Sequence, residues 1–560
     1  MRALKIFGIV IGCIVLVLIA GVIALWLIVN PNDYKGRIEA AVRSSTGRSL
    51  ALTGNIHLAV FPSIALELGP ASLGNPPGFS SSQPFASLRR VSLSVRLLPL
   101  LHHQLEVGKV EIDGLDLRLL KNARGEGNWA MPASKSPPAP QSQGSSEVAL
   151  GGIGGVVLKD SRVSYQDLVV NDVNLNVGRV GSGVPIPVRW SLAVTTAPGA
   201  KPIPLSGNAT LEYGANSAHL SGLDARIDDS RVRGNAAVSN LATGAMNFDL
   251  SIDQIDLDRY LGAAKASQPA PQAKVRPAAA AQSQPTELPT SALKTLQLDG
   301  KLAIGSATLY GMKLSQVTVG LAADNGLLHI DPANAKLYGG TSTGSVTLDA
   351  QSAVPVLHLD ENLTGIDAKP LLVDFMKFNR FSGRGNVAVN VAARGNTTAA
   401  LMSSLNGHVA TNITNGALEG LDLWSAINSA VSLAQKHTLP TGKMGNSTRF
   451  DTFRASADLT NGVASTKDLD ISSGDLHVTG QGTTNLVTEA VDYHLSATVL
   501  KGPSAGTLAS IPLLVSGTLT SPTVRPDTQG LVKSLAQQQL QKQKGKVENK
   551  VKGLLKGLIH

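Results

Sequence analysis

Cysteine is nearly absent from this 560-residue chain, which contains a single one at Cys13. A disulfide within the chain is therefore excluded, and so are a thiol nucleophile and a cysteine-based metal site anywhere after that residue. Charged residues make up only 16% of the sequence, against roughly 25% in an average soluble protein. Aromatic residues account for 4%, whereas glycine occurs 56 times. This composition is typical of a β-rich protein with many turns.

Catalytic and nucleotide-binding signatures are also missing. The sequence contains no His-Glu-x-x-His, Gly-x-Ser-x-Gly, Walker or Cys-x-x-Cys motif, and its eleven histidines are scattered. The glycine cluster at 151–155 precedes a predicted strand, whereas a dinucleotide-binding loop follows a strand and opens a helix. We therefore expect no enzymatic activity, no cofactor and no metal, and an envelope hydrolase is the weakest of three functional hypotheses.

The longest apolar run lies at the N-terminus. Residues 6–29 contain no charged side chain, and about 20 such residues suffice to cross a bilayer as a helix. Arg2 and Lys5 precede the run, and positive charge stays on the cytoplasmic side. Residues 1–29 are thus predicted to form a single-pass anchor in the inner membrane, with the body exported. The alternative is a cleaved signal peptide, whose apolar region is shorter and ends in small residues.

The net charge of +9 comes largely from the C-terminal tail, residues 527–560. Seven lysines and one acid lie between residues 529 and 560. Apolar residues at helical spacing alternate with these lysines, which predicts an amphipathic helix at a membrane surface. The candidate contacts are Lys546, Lys550, Lys552 and Lys556. A solvated, frayed charge run is the alternative, and an exported tail argues against nucleic acid as a partner.

The body of the chain shows apolar residues at every second position. Such alternation predicts strands of a sheet with one apolar and one wet face. The candidates for the apolar face are Val91, Leu93, Val95, Leu115, Leu117, Phe248, Leu250, Ile252, Val387, Val389 and Val391. Between the anchor and the tail, helices are predicted at 32–45, at two short aspartate-led pieces near 256 and 367, and at 422–437, where an apolar stripe should cover part of the sheet.

Two segments rich in Ala, Pro, Gln and Ser are predicted linkers. They comprise residues 133–147 and 263–292, and neither has apolar periodicity. They divide the exported chain into three β-rich blocks at 30–132, 148–262 and 293–526. Strand–turn–strand segments around Gly234, Gly344 and Gly480 resemble one another, which favours a repeated supersecondary unit.

Several short motifs resemble the AsmA family of bacterial envelope proteins. Near the N-terminus these are Asn30-Pro31-Asn32-Asp33-Tyr34-Lys35, Thr46-Gly47-Arg48, Gly74-Asn75-Pro76-Pro77-Gly78-Phe79 and Gly127-Asn128-Trp129. Near the C-terminus they are Phe381-Ser382-Gly383-Arg384-Gly385 and Val515-Ser516-Gly517-Thr518-Leu519. The resemblance spans nearly all of 30–526 and leaves the linker at 263–292 and the lysine-rich tail unassigned.

The resemblance implies an inner-membrane anchor, a periplasmic body and a role in outer-membrane biogenesis. It implies a mainly β fold, in which residues 30–132 form a chorein-like region and a long curled antiparallel sheet presents an apolar groove to phospholipid cargo. The alternation itself is compatible with an open groove or with closed sandwiches. A second hypothesis is a non-enzymatic scaffold that contacts outer-membrane or other envelope proteins.

Overall fold

The computed structural model describes residues 30–59, 64–79, 83–95, 105–122, 124–129, 150–151, 153–181, 183–263, 290–435, 447–501, 510–533, 536 and 547. Within these residues the protein is mainly β, with 29 strands and six short α-helices. None of the described helices is long and apolar enough to cross a bilayer, and the predicted anchor at 1–29 lies outside the described residues. The chain divides into two compact units, Met1–Ala242 and Thr243–His560. The three sequence blocks stay a prediction.

The described part of unit 1 begins with a short helical segment. A 3-10 turn, Pro31–Tyr34, leads into helix α1, Lys35–Thr46, close to the predicted helix at 32–45. The side chain of Asn30 accepts a hydrogen bond from the backbone N–H of Asn32 and so caps the first turn. Gly47, at φ 70°, ends the helix in the left-handed conformation that glycine adopts without strain.

Fifteen strands follow in unit 1. They are β1 (Leu50–Leu52), β2 (Ile56–Ala59), β3 (Ile64–Leu68), β4 (Ala71–Leu73), β5 (Ala86–Leu88), β6 (Arg90–Val95), β7 (Leu105–Asp113), β8 (Asp116–Leu119), β9 (Leu150–Gly151), β10 (Gly155–Tyr165), β11 (Leu168–Val177), β12 (Ile186–Thr195), β13 (Ile203–Tyr213), β14 (Ala218–Ile227) and β15 (Ser230–Asn240). The first eight form four longer strands, each divided in two by a short bend: β1 with β2, β3 with β4, β5 with β6, and β7 with β8. At the first two bends the backbones nearly touch, since a Cβ on Gly54 would lie 2.5 Å from the Cα of Gly69.

Neighbouring strands of unit 1 pair in chain order. The four bent strands are antiparallel, and β10 to β15 continue as an antiparallel meander. The exceptions come after one long connection: β9 pairs in parallel with β7, and β10 pairs in parallel with β7 and β8. A parallel pair needs a long crossover, and this one contains the predicted linker at 133–147, which lies outside the described residues.

Unit 2 contains fourteen strands and five helices among its described residues. The strands are β16 (Ala245–Asp256), β17 (Leu298–Leu309), β18 (Met312–Asp324), β19 (Leu327–Leu337), β20 (Gly340–Asp349), β21 (Val356–Asp367), β22 (Phe381–Arg394), β23 (Asn406–Glu419), β24 (Ser447–Thr460), β25 (Val463–Ser472), β26 (Leu476–Asn485), β27 (Ala490–Val499), β28 (Ile511–Thr518) and β29 (Ser521–Pro526). The helices are α2 (Leu257–Ala263), α3 (Thr290–Leu293), α4 (Ala368–Met376), α5 (Thr398–Ser403) and α6 (Leu423–Gln435).

The sheet of unit 2 repeats the plan of unit 1. Strands β16 and β17 are parallel, and every later pair up to β28 and β29 is antiparallel and sequential. The parallel crossover carries the second predicted linker, 263–292, whose residues 264–289 lie outside the described residues. The two predicted aspartate-led helices are present as α2 and α4. Asp367 accepts a hydrogen bond from the backbone N–H of Lys369 and caps α4.

Bulges in the long strands keep apolar side chains on one face. Several strands of the two sheets shift register where a residue at positive φ is inserted, for example at Asp160, Asp172, Gly222, Gln316 and Gly365. The flanking inward-facing residues are then three positions apart instead of two, as at Leu158/Ser161, Val170/Val173, Leu220/Leu223, Leu314/Val317 and Leu363/Ile366. Bulges also increase the right-handed twist of the strands that carry them.

Helix α6 closes the apolar face at the C-terminal end of unit 2. Leu423, Ile427 and Ala430 are fully buried against β23 to β28, as the predicted covering helix at 422–437 requires. The buried hydroxyl of Thr448 accepts a hydrogen bond from the backbone N–H of Leu423 and donates one to the carbonyl of Leu421, which fixes the start of the helix. Residues 528–533 are also helical.

Candidate functional site: an apolar face on each sheet

The apolar face of unit 1 is built from cross-strand rows of side chains. One row crosses ten strands in register: Ile56, Leu68, Val91, Ile112, Leu158, Leu175, Trp190, Gly207, Ala225 and Val232. Most of these side chains are only half-buried, and the helices that the structure describes do not pack on β10 to β15. Side chains that face each other across paired strands form one continuous apolar surface.

A second row crosses nine strands of unit 2. Its members are Leu250, Leu302, Val319, Ala333, Gly344, Glu361, Val389, Val409 and Ala457. A neighbouring row carries Phe248 at one end and Val391 further along. Except for Val391, which is 9% exposed, the predicted face residues in unit 2 are half-buried.

The structure places the sequence-predicted residues on these two faces. Val91, Leu93 and Val95 alternate along β6, opposite Leu68, Leu66 and Ile64 of β3. Leu117 of β8 pairs with Val163 of β10, and Leu115 lies in the bend before β8. Phe248, Leu250 and Ile252 share the face of β16, and Val387, Val389 and Val391 share that of β22. The predicted membrane-surface lysines, 546, 550, 552 and 556, lie outside the described residues.

Charges of unit 1 gather on the opposite face. Glu111 contacts Lys109 at 3.1 Å and Lys159 at 3.6 Å, and the hydrogen bond from Lys109 is the main reason that its pKa lies below the usual value. Asp224 pairs with Arg231 on the same face. The two faces of the sheet therefore differ as the sequence alternation predicted, one apolar and one charged.

Aromatic rings lie over glycines on the apolar face. Trp190, Phe248, Phe450 and Tyr493 each stand directly opposite a glycine on the adjacent strand: Gly207, Gly300, Gly416 and Gly482. A Cβ added at any of these glycines would come within 2.3 to 2.6 Å of ring atoms. Because each ring occupies the space of the missing side chain, it lies along the sheet and adds little height to the apolar surface.

Glu361 is a carboxyl group in the middle of the apolar row of unit 2. It stands between Gly344 and Val389, and its Oε1 accepts a hydrogen bond of 2.7 Å from the hydroxyl of Ser342. Its Oε2 occupies the space over Gly344, 2.6 Å from where a Cβ would be. Burial raises the pKa of Glu361 above its usual value, and the negative charge of Asp360 adds to the rise, against the opposing hydrogen bond from Ser342.

Glu361→Gln is expected to change how stability depends on pH. A raised carboxyl pKa means that the stabilising contribution of Glu361 is complete below its ordinary value of 4.5 and is lost as pH rises through the raised value. Glutamine keeps an acceptor for Ser342 without the charge. The free energy of unfolding of the variant should therefore equal that of the wild type near pH 4.5 and exceed it by about 1 kcal/mol at pH 8.

Thermal melts of wild type and variant across pH 4.5–8 measure this difference. Glu419→Gln removes an exposed glutamate from the same unit and serves as the control. A plot of its melting temperature against pH should stay parallel to that of the wild type. A Glu361→Gln curve that also stays parallel to the wild type would mean that the carboxyl group is fully solvated.

A cavity of about 250 Å³ lies on the apolar face beside the start of α6. Its walls include Leu421 and Leu423 before and at the start of the helix, and Phe453, Leu469 and Val515 from the sheet. The hydroxyl of Tyr493, also in the wall, is satisfied by that of Thr484 at 3.0 Å. No lining residue is charged, so the cavity is suited to an apolar guest.

The described residues contain no group of three or more His, Cys, Asp or Glu placed to hold a metal ion. On the apolar side of the described sheets, the features suited to binding are the two faces, the cavity beside α6 and the carboxyl group of Glu361. These features point to recognition of an apolar molecule, because they offer contact area and little chemistry.

Comparisons with known proteins agree with this arrangement. The family model described as "AsmA family" matches residues 1–202 and 194–469, which is more than half of the chain. The chain belongs to the AsmA family. It is also 23% identical over 544 residues to Protein AsmA of Escherichia coli strain K12, covering 87% of each chain. The resemblance drawn from the short motifs is therefore confirmed for this AsmA family member.

Proposed function

We propose that this AsmA family member handles phospholipids on the apolar faces of its sheets and thereby supports outer-membrane biogenesis. The observation that carries the proposal is the pair of cross-strand apolar rows, ten and nine strands long, whose side chains remain mostly half-buried. A face that solvent reaches is available to cargo. In the proposed form, each sheet curls into a trough with its apolar side inward.

The energetic case for such a trough rests on hydrocarbon. Each CH₂ exposed to water costs roughly 0.8 kcal/mol, so about thirty of them in two acyl chains cost on the order of 20 kcal/mol. A continuous apolar surface removes most of this barrier without any chemical step, which fits a non-enzymatic protein. The rings of Trp190, Phe248 and Tyr493 lie over glycines, which supports the proposal. Rings that stood upright on the sheet would fill the space that the acyl chains need.

The proposed location follows from residues 6–29. A single-pass anchor there would hold the body in the periplasm against the inner membrane, and proteins of this family are associated with the bacterial envelope. Lys546, Lys550, Lys552 and Lys556 are proposed to meet anionic headgroups.

Photolabelling with a phospholipid tests the proposal. The full-length protein is reconstituted into vesicles that contain phosphatidylethanolamine with a diazirine in the middle of one acyl chain. After irradiation, mass spectrometry should find the lipid on apolar-face residues of β10 to β14 and β16 to β23, and not on residues of the opposite faces. Absence of label on both apolar faces, together with a stably co-purifying envelope protein, would replace the proposal by the scaffold hypothesis.

A further inference from the structure

We propose that the cavity beside α6 holds the terminal segment of one acyl chain of a phospholipid whose remainder lies on the apolar face of unit 2. This inference rests on the proposed function and adds to it a specific end site, a chemical class of ligand and an orientation. The site is defined by Ala455, Leu469, Tyr493 and Val515 of the sheet and by Leu423 of the helix.

The size and lining of the cavity argue for hydrocarbon. An engineered cavity of about 150 Å³ lined by Leu, Ile and Phe stays dry and binds benzene. The cavity here measures about 250 Å³, and all but three of its sixteen lining residues are apolar. The three exceptions are Thr466, Thr484 and Tyr493, and the last two satisfy each other. A polar or charged headgroup would find no charged partner in this lining.

The cavity is continuous with the apolar face that precedes it. Ala455, in its wall, pairs with Thr411 of β23, which pairs with Val387 of β22 and then with Leu363 of β21. An acyl chain that follows these strands in register therefore reaches the cavity without crossing a charged side chain in this row.

The core under α6 explains why the acyl chain would end at the cavity. Beyond the cavity, Leu476, Val478, Ala497 and Leu513 are at most 2% exposed and belong to the same buried core cluster as α6. Close-packed protein leaves no space for a further methylene group. The end of the cargo chain is thus fixed at α6, and the headgroup is directed towards the earlier strands of unit 2.

Two probes of opposite geometry test this orientation. The full-length protein is placed in phosphatidylethanolamine and phosphatidylglycerol vesicles with a phosphatidylcholine that carries its diazirine either at the terminal carbon or beside the acyl carbonyl. The terminal probe should label peptides with Leu469 and Tyr493 at least fivefold more than the carbonyl-proximal probe. A free fatty acid with the same terminal diazirine distinguishes the two sources of hydrocarbon, and labelling by the fatty acid alone overturns the phospholipid assignment.

A substitution that fills the cavity provides the second arm of the experiment. Ala455→Leu adds three carbons inside the cavity and should reduce terminal-probe labelling there at least fivefold. Ala388→Leu is the matched control, because Ala388 is exposed on β22, on the face opposite Val387 and Val389 and outside the cavity lining, and it should leave that labelling unchanged. Ala455→Val replaces Ala455→Leu if the larger side chain lowers the melting temperature.

The outcomes separate this inference from the proposed function. Label on β16 to β22 with none in the cavity overturns the end site and leaves lipid handling in place. Equal labelling of the cavity by both phospholipid probes overturns the orientation, and unchanged labelling in Ala455→Leu overturns the end site. Absence of label on every apolar face removes both.

Discussion

Leu250→Asp is expected to reduce phospholipid labelling of unit 2 at least tenfold. Leu250 begins the apolar row that runs through Leu302 and Val319, so a carboxylate there must lose water when an acyl chain covers it. Burying an unpaired charge costs several kcal/mol, and each 1.4 kcal/mol corresponds to a factor of ten in binding. The mid-chain diazirine phospholipid described above measures the loss directly.

The matched control for Leu250→Asp is Ala303→Asp. Ala303 is exposed on β17, next to Leu302 but on the opposite face, where it pairs with Ser251 and Thr318. The same charge there should leave labelling within twofold of the wild type. Circular dichroism melts of both variants show whether the sheet survives, and Leu250→Asn supplies an uncharged variant if Leu250→Asp unfolds. Equal labelling of both aspartate variants would mean that lipid does not contact this face.

The sequence contained enough information to predict the faces but not their register. Period-two alternation assigned Val91, Leu250 and Val389 to apolar positions, and the structure places each in a cross-strand row. Which residues stand opposite one another depends on pairing between strands and on bulges. The residues inserted at Asp160 and Gln316 shift the alternation by one, and a strict period of two misassigns every residue beyond them.

Glu361 was missed, although a signal for it was present. Leu359, Glu361 and Leu363 occupy alternate positions, so the glutamate sits where the pattern requires an apolar residue. Its partners could not be predicted in this way, because Ser342 and Gly344 come from another strand and are brought together by register. The same holds for the glycines under Trp190 and Phe248, whose role becomes visible only across a strand pair.

Two alanine variants distinguish a closed core from an open face, one at a fully buried isoleucine and one at a half-buried leucine. Ile427→Ala, in the fully buried core under α6, should lower the free energy of unfolding of unit 2 by about 3 kcal/mol, because it leaves a cavity that the packed surroundings cannot fill. Leu175→Ala, on the half-buried apolar face of unit 1, should cost about 1 kcal/mol, since water already reaches this side chain and its removal opens no cavity.

Hydrogen exchange by mass spectrometry measures both effects on the full chain, from the opening free energies of peptides in β26–β27 and in β11–β12. Leu433→Ala, at a position of α6 that is 49% exposed, should change neither. If the face of unit 1 is open to lipid, Leu175→Ala must lose less opening free energy than Ile427→Ala. A Leu175→Ala variant that loses as much stability as Ile427→Ala would place a packed layer over the face of unit 1, and an acyl chain could reach that face only by displacing the layer.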